Sequence, residues 1–127
     1  MLEIGLKNEV SEVVTKEKTA IYLGSGELEV YGTPAMIALM EKASYTCVLN
    51  YLEDGFGSVG TSMNVKHLSS TPVGMEVKAR CELIEIEGRK LVFKVEAYDK
   101  VGKIGEGVHE RFVVENLKFQ EKTNNKK

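Results

Sequence analysis

Three side chains in this sequence carry atoms that could do chemistry: the Thr33 hydroxyl at a helix start, the Glu41 carboxylate farther along that helix and the His67 imidazole at the end of a strand face. His67 titrates near neutrality and is the natural candidate for a general base. Glu41 falls among Ile37, Ala38 and Tyr45 on a helical spacing, where a charge needs a partner or a task. Each has a structural reading as well. Thr33 can serve as a helix N-cap, His67 as a hydrogen-bonded structural histidine, and Glu41 as one half of an ion pair with a Lys or Arg. A second histidine, His109, shares one face of a later strand with Arg111. Arg111 suits a phosphate or carboxylate, whereas His109 reads as structural. No Cys or Asp cluster at ligand spacing accompanies the two histidines, so neither a metal nor another cofactor is expected.

The elements that must position these groups follow from periodicity. Gly32-Thr33-Pro34 starts a helix, since Thr33 can accept from a first-turn amide and Pro34 tolerates the first helical position. The helix is expected to run from Thr33 to about Leu52, with Asp54-Gly55 ending it. From Ala35 to Met40 it is apolar on every side, which predicts enclosure rather than a surface position.

A strand is expected before the helix, over Leu6 to Thr15, and Thr19 to Leu23 reads as a short strand or a turn. Four strand-like segments follow the helix. In the first, Ser58 to Leu68, strict alternation puts Val59, Thr61, Met63, Val65 and His67 on one face. Met75 to Glu85 and Leu91 to Ala97 flank a turn at Glu87-Gly88-Arg89, and the last strand covers about Lys103 to Leu117. Residues 1–119 therefore form one domain, with 120–127 a frayed tail.

Bulk properties narrow the class. Hydrophobic residues make up 43% and charged residues 28%, ordinary globular usage that disfavours disorder. The net charge of -2 leaves no basic stripe for nucleic acid, and the uncharged run from Thr33 to Met40 is far below the roughly 20 residues that span a bilayer. Met1-Leu2-Glu3-Ile4 does not open a basic, then apolar, leader, so a cytoplasmic location is expected. Cys47 and Cys81 belong to no C-x-x-C pair and read as small core residues.

A strand, a helix and a long antiparallel meander in this order resemble the α+β hot-dog fold, one central helix wrapped by a sheet of about five or six strands. More narrowly, the chain resembles the fluoroacetyl-CoA-thioesterase-like branch of hot-dog thioesterases over about Leu6 to Phe119. The motifs that carry this are Gly32-Thr33-Pro34 with Glu41, Val59-Gly60-Thr61, Val65-Lys66-His67 with Thr71-Pro72-Val73-Gly74, Glu87-Gly88-Arg89-Lys90-Leu91, and Ile104-Gly105 with Gly107-Val108-His109-Glu110-Arg111.

The resemblance implies a catalytic set of Thr33, Glu41 and His67, with Gly60 and Arg111 near a bound acyl-CoA. It also implies a homodimer or a dimer of dimers, with sites at the subunit interface. Thioester hydrolysis needs a nucleophile, a base and oxyanion donors. His67 supplies the base. Glu41 orients the imidazole or activates water itself, and Thr33 attacks or positions water. Amides at the helix start, or that of Gly60, face the carbonyl. Met36, Ile37, Met40 and Met63 are expected to line a pocket for a short or compact acyl group rather than fluoroacetyl-CoA specifically, with Lys66 or Arg111 meeting the CoA phosphates. The rival expectation is a non-catalytic acyl-CoA-binding module. A hydroxyacyl-CoA dehydratase is disfavoured because the D-x-N-x-x-H pattern is absent.

Overall fold

The computed structural model describes all residues from Met1 to Lys127. Five strands, β1 (Lys7–Val13), β2 (Phe56–His67), β3 (Glu76–Glu87), β4 (Lys90–Tyr98) and β5 (Lys103–Glu115), form one antiparallel sheet in the order β1-β3-β4-β5-β2. Three α-helices, α1 (Ala20–Leu23), α2 (Thr33–Leu49) and α3 (Asn116–Asn124), and one 3-10 turn at Lys16–Lys18 complete the chain. The expected order of strand, long helix and four further strands is met. Only β3, β4 and β5 run as a meander, because β2 pairs with β5 at the far edge and not with β3. Other differences are local. Thr19–Leu23 forms a helical turn because Thr19 Oγ1 accepts from the Tyr22 amide. The long helix stops at Leu49, three residues early. The C-terminal segment is helical to Asn124 rather than frayed from residue 120, although none of its side chains is buried.

The sheet covers one side of α2. Ala35, Met36, Leu39, Met40, Ala43, Cys47 and Val48 are buried against Val77, Ala79, Cys81 and Leu83 of β3 and Leu91, Phe93, Val95 and Ala97 of β4. Those strands alternate as their sequences require. Polar groups fix the helix to the sheet: Asn8 Nδ2 donates to the Ala43 carbonyl at 3.0 Å and to Thr46 Oγ1 at 2.9 Å. The opposite side of α2 is not enclosed, contrary to expectation. Ala38, Lys42, Tyr45 and Leu49 are exposed and Glu41 is half-exposed, because five strands curve over only half of the helix.

The helix start is pinned by a backbone stitch. Tyr31 N donates to the Thr71 carbonyl, Gly32 N to the Lys18 carbonyl and Ala20 N to the Val30 carbonyl, at 2.8 to 2.9 Å. Tyr31 is buried, and its hydroxyl donates to Glu12, which also pairs with Lys18 at 2.9 Å. Residues 30–32 therefore lie fixed between the β1–α1 connection and the segment after β2.

One irregularity decides which side chains of β2 face the helix. Gly60 pairs with Arg111 and Ser62 with Glu110, so Thr61 is an extra residue, a β-bulge. Opposed residues point to the same face. Gly60 therefore joins Met63, Val65 and His67 on the inner face, where strict alternation would have turned it outward. On β5 the facing positions include Gly105 and Gly107. A β-carbon at Gly107 would collide with the backbone of Asn64 and Val65, and one at Gly105 would lie 2.5 Å from Met36 Sδ. These glycines let β2 and α2 close on β5. Because the obstacle at Gly107 is backbone, Gly107→Ala should lower Tm by more than about 5 °C, whereas Gly102→Ala, with open space around it, should stay within about 2 °C; thermal denaturation of the two variants checks this.

Candidate active site

Thr33 is the first residue of α2, and the cap position belongs to Gly32, whose carbonyl accepts from Met36 N at 3.1 Å. The expected capping role of Thr33 is therefore not taken up. Its hydroxyl instead lies 2.8 Å from His67 Nδ1 at the end of β2. The stitch at residues 30–32 sets one partner and β2 the other. When His67 carries its proton on Nε2, the Thr33 hydroxyl donates to a bare Nδ1, the arrangement in which an imidazole can take that proton. Nε2 is enclosed and has no partner within the chain. Burial pushes the His67 pKa down, partly opposed by the Ser69 backbone, so the neutral base form is favoured.

Beside this pair is a depression of about 300 Å³ whose lining includes Ala20, Tyr31, Thr33, His67 and Ser69. The amino end of α2 opens toward it. First-turn amides have no helical acceptor, and the helix dipole is positive there. A larger depression of about 600 Å³ on the outer face of β1, β3 and β4 is lined by Lys7, Glu9, Arg80, Glu82, Lys94 and Glu96. Its charged side chains include the Arg80–Glu9 pair at 2.8 Å, and Cys81, which also borders it, is a buried thiol.

Glu41 is not at this pair within one chain. It stands eight residues beyond Thr33 on the same helix, about 12 Å along the axis, and its partner is Arg111, with Nη1 3.3 Å from Oε2. Its side chain is 41% exposed, while that of Arg111 is 8% exposed. The carboxylate is thus neither enclosed nor unpartnered, and the ion-pair reading made from sequence is realised.

Gly60 faces this second group. A β-carbon there would sit 2.5 Å from Glu41 Oε2 and 3.4 Å from Arg111 Nη1, so only glycine lets the carboxylate approach the strand. Arg111 also donates through Nε to Ser58 Oγ and through Nη2 to the Ser58 carbonyl, both at 2.8 Å. The Tyr45 ring lies with its centroid 5.9 Å from Arg111 Cζ. Enclosed and occupied in this way, Arg111 is an internal group, and its expected meeting with CoA phosphates is not supported by this geometry. Ser58 escaped the sequence reading because the bulge that turns it inward has no residue-type signal. His109, read as structural, touches Arg111 directly, with Nε2 3.1 Å from Nη1.

The expected pocket lining also changes. Met36 and Met40 are fully buried in the core, Met36 against Gly105, and they do not border the depression at Thr33. Ile37 and Met63 are half-buried. Cys47 and Cys81 are buried free thiols, as expected, and burial pushes the Cys81 pKa up to about 12. No helix is long and apolar enough to cross a membrane.

This geometry has close relatives. Residues 14–117 match the fluoroacetyl-CoA-specific thioesterase family. The fluoroacetyl-CoA thioesterase of Streptantibioticus cattleyicolor is 44% identical over 98 residues, spanning 77% of this chain and 70% of that protein. A solved structure of a fluoroacetyl-CoA thioesterase superposes with a TM-score of 0.94 at 38% identity, covering 100% of this chain and 98% of the other. A thioesterase superfamily member from Thermus thermophilus gives 0.90 at 29% identity, over 98% of this chain and 93% of that one. The sheet, the central helix and the extent of the match together place the chain in the fluoroacetyl-CoA-specific thioesterase family of hot-dog proteins.

Proposed function

We propose that this chain hydrolyses the thioester of a short or compact acyl-CoA, and that it works as a dimer in which each site draws on two chains. The observation that carries the chemistry is the 2.8 Å contact between Thr33 Oγ1 and His67 Nδ1 at the amino end of α2. A base beside a hydroxyl, facing unpaired amides, is what acyl transfer to water requires. His67 takes a proton from a water that the Thr33 hydroxyl holds and that attacks the thioester carbonyl, or from the hydroxyl itself. In the second case the acyl-threonine that forms is hydrolysed by a second water that His67 deprotonates. The negative oxygen that forms on the thioester carbonyl is met by first-turn amides, of which Pro34 contributes none. The imidazolium then returns the proton to the departing thiolate. The 300 Å³ depression lies at the small end of ligand pockets and suits an acyl group of a few carbons.

Two features support a second copy. Strand β2 is twelve residues long and lies at the sheet edge, with one row of backbone groups unpaired by the chain. The outer side of α2 leaves Ala38, Tyr45 and Leu49 exposed beside Glu41. Burying both would bring Glu41 of one copy toward the Thr33–His67 pair of the other. Gly60, Arg111, Ile37 and Met63 would then border the shared site, and exposed lysines such as Lys66 would meet the CoA phosphates. The free buried thiols of Cys47 and Cys81 suit a reducing, cytoplasmic setting.

Thiol release from acetyl-, fluoroacetyl-, butyryl- and longer acyl-CoAs tests the reading: turnover concentrated at short chains supports it, and saturable binding without turnover would replace it with a binding module. Because Thr33 does not cap the helix, Thr33→Ala should leave Tm within about 2 °C of wild type yet lower kcat/KM at least about tenfold. Calorimetry and steady-state kinetics on one preparation separate the two effects. Lowering a histidine's pKa keeps its base form to more acidic pH. The acid limb of kcat/KM should therefore have its midpoint below about 6.5, the ordinary histidine value, and rates should be flat from there toward pH 8. A midpoint above 7 would contradict the assignment of His67 as base.

A further inference from the structure

Arg111 has five N–H donors, and the structure directs four of them: Nε and one Nη2 proton to Ser58, and the two Nη1 protons to Glu41 and to His109. The His109 acceptor imposes a further condition. Its Nδ1 lies 2.8 Å from the Ser62 carbonyl and its Nε2 lies 3.1 Å from Arg111 Nη1. A carbonyl only accepts, so Nδ1 carries the proton. A guanidinium only donates, so Nε2 is bare. Two neighbours therefore select the same neutral tautomer.

The ring has little room to change. His109 is 1% exposed and stacks on Phe93, with centroids 6.2 Å apart. The charged groups acting on it are Arg111 and Glu110 from β5 and Glu41 from α2. Strands β2 and β4 contribute the Ser62 carbonyl and the Phe93 ring. An imidazolium would set Nε2–H against Nη1–H and break the contact. Burial, with Arg111 adding to it, lowers the His109 pKa in the same sense.

We infer that His109 is a positioning residue: as a neutral imidazole protonated on Nδ1, it anchors Nη1 of Arg111 and thereby fixes where the Glu41 carboxylate stands beside Gly60. The consequence for turnover rests on the thioesterase reading above, whereas the tautomer and the anchoring do not. His109 touches no reacting atom in this account. It acts through Arg111.

The test uses the full chain with acetyl-CoA and two replacements, His109→Gln, whose amide oxygen supplies a neutral acceptor, and His109→Leu, which has none. With folding confirmed by circular dichroism, His109→Leu should lower kcat at least about tenfold with KM within about threefold, and His109→Gln should restore kcat to within about threefold of wild type. In an Arg111→Met background, His109→Leu should cost less than about twofold more. Equal losses in Gln and Leu, or the same loss with and without Arg111, would reduce His109 to packing and overturn the inference. Nitrogen-15 spectra of the wild-type imidazoles give a readout independent of turnover. A His109 signal with Nδ1 protonated and Nε2 bare at pH 7, shifting at Nε2 on Arg111→Met, is expected. An Nε2-protonated or fully protonated ring would overturn the inference. Should wild type release no thiol from any acyl-CoA, the thioesterase reading falls, and the same spectra still decide whether His109 anchors Arg111.

Discussion

A guanidinium enclosed between a sheet and a helix is costly unless its donors are met, and the inner face at the β2–β5 edge is arranged around meeting those of Arg111. Ser58 receives two of them, Glu41 and His109 one each. Gly60 leaves out the β-carbon that would displace the Glu41 carboxylate. The bulge at Thr61 turns Ser58 and Gly60 to the side where Arg111 points, while His67, farther along β2, still faces inward. One extra residue in an edge strand thus connects the buried cation to the placement of His67.

The site has two parts with different physical characters. The Thr33–His67 pair lies at a helix start fixed by backbone bonds to segments on either side, so its geometry depends little on side-chain packing. The Glu41–Arg111 group lies two turns along the same helix and depends on long side chains held by their partners. Along α2 the two groups stand about 12 Å apart in rise, and within one chain Glu41 is held by Arg111 and not by His67. The uncovered side of α2 and the open edge of β2 are the surfaces on which a second copy would resolve this separation.

Much of the fold was legible because its signals are local. Val77, Ala79, Cys81 and Leu83 alternate with charges, Gly32-Thr33-Pro34 marks a helix start, and Gly88 takes the left-handed conformation its turn requires. The candidate pair was legible only through the family resemblance, since by position alone a threonine beginning a helix reads as a cap and a histidine ending a strand as structural. The rest depends on contacts far apart in sequence. That Glu41 pairs with Arg111, 70 residues away, cannot be read from either neighbourhood. The Thr61 bulge has no composition of its own, so alternation assigned Gly60 to the wrong face. Thr33 looks like a cap, and only the one-residue offset to Gly32 frees its hydroxyl for His67. Met36 and Met40 looked like pocket walls because methionine suits either place; the glycine at 105 draws Met36 into the core.

The account turns on whether Glu41 of one copy serves the Thr33–His67 pair of another, and subunit mixing tests this directly. His67→Ala and Glu41→Ala chains, each inactive alone, would be unfolded together, refolded in equal amounts and assayed for thiol release. A shared site predicts recovery to about a quarter of wild-type activity, because half of the dimers are mixed and each of those holds one intact site of two. No recovery, with mixed dimers demonstrated by mass, would show that each chain completes its own site and would contradict the account.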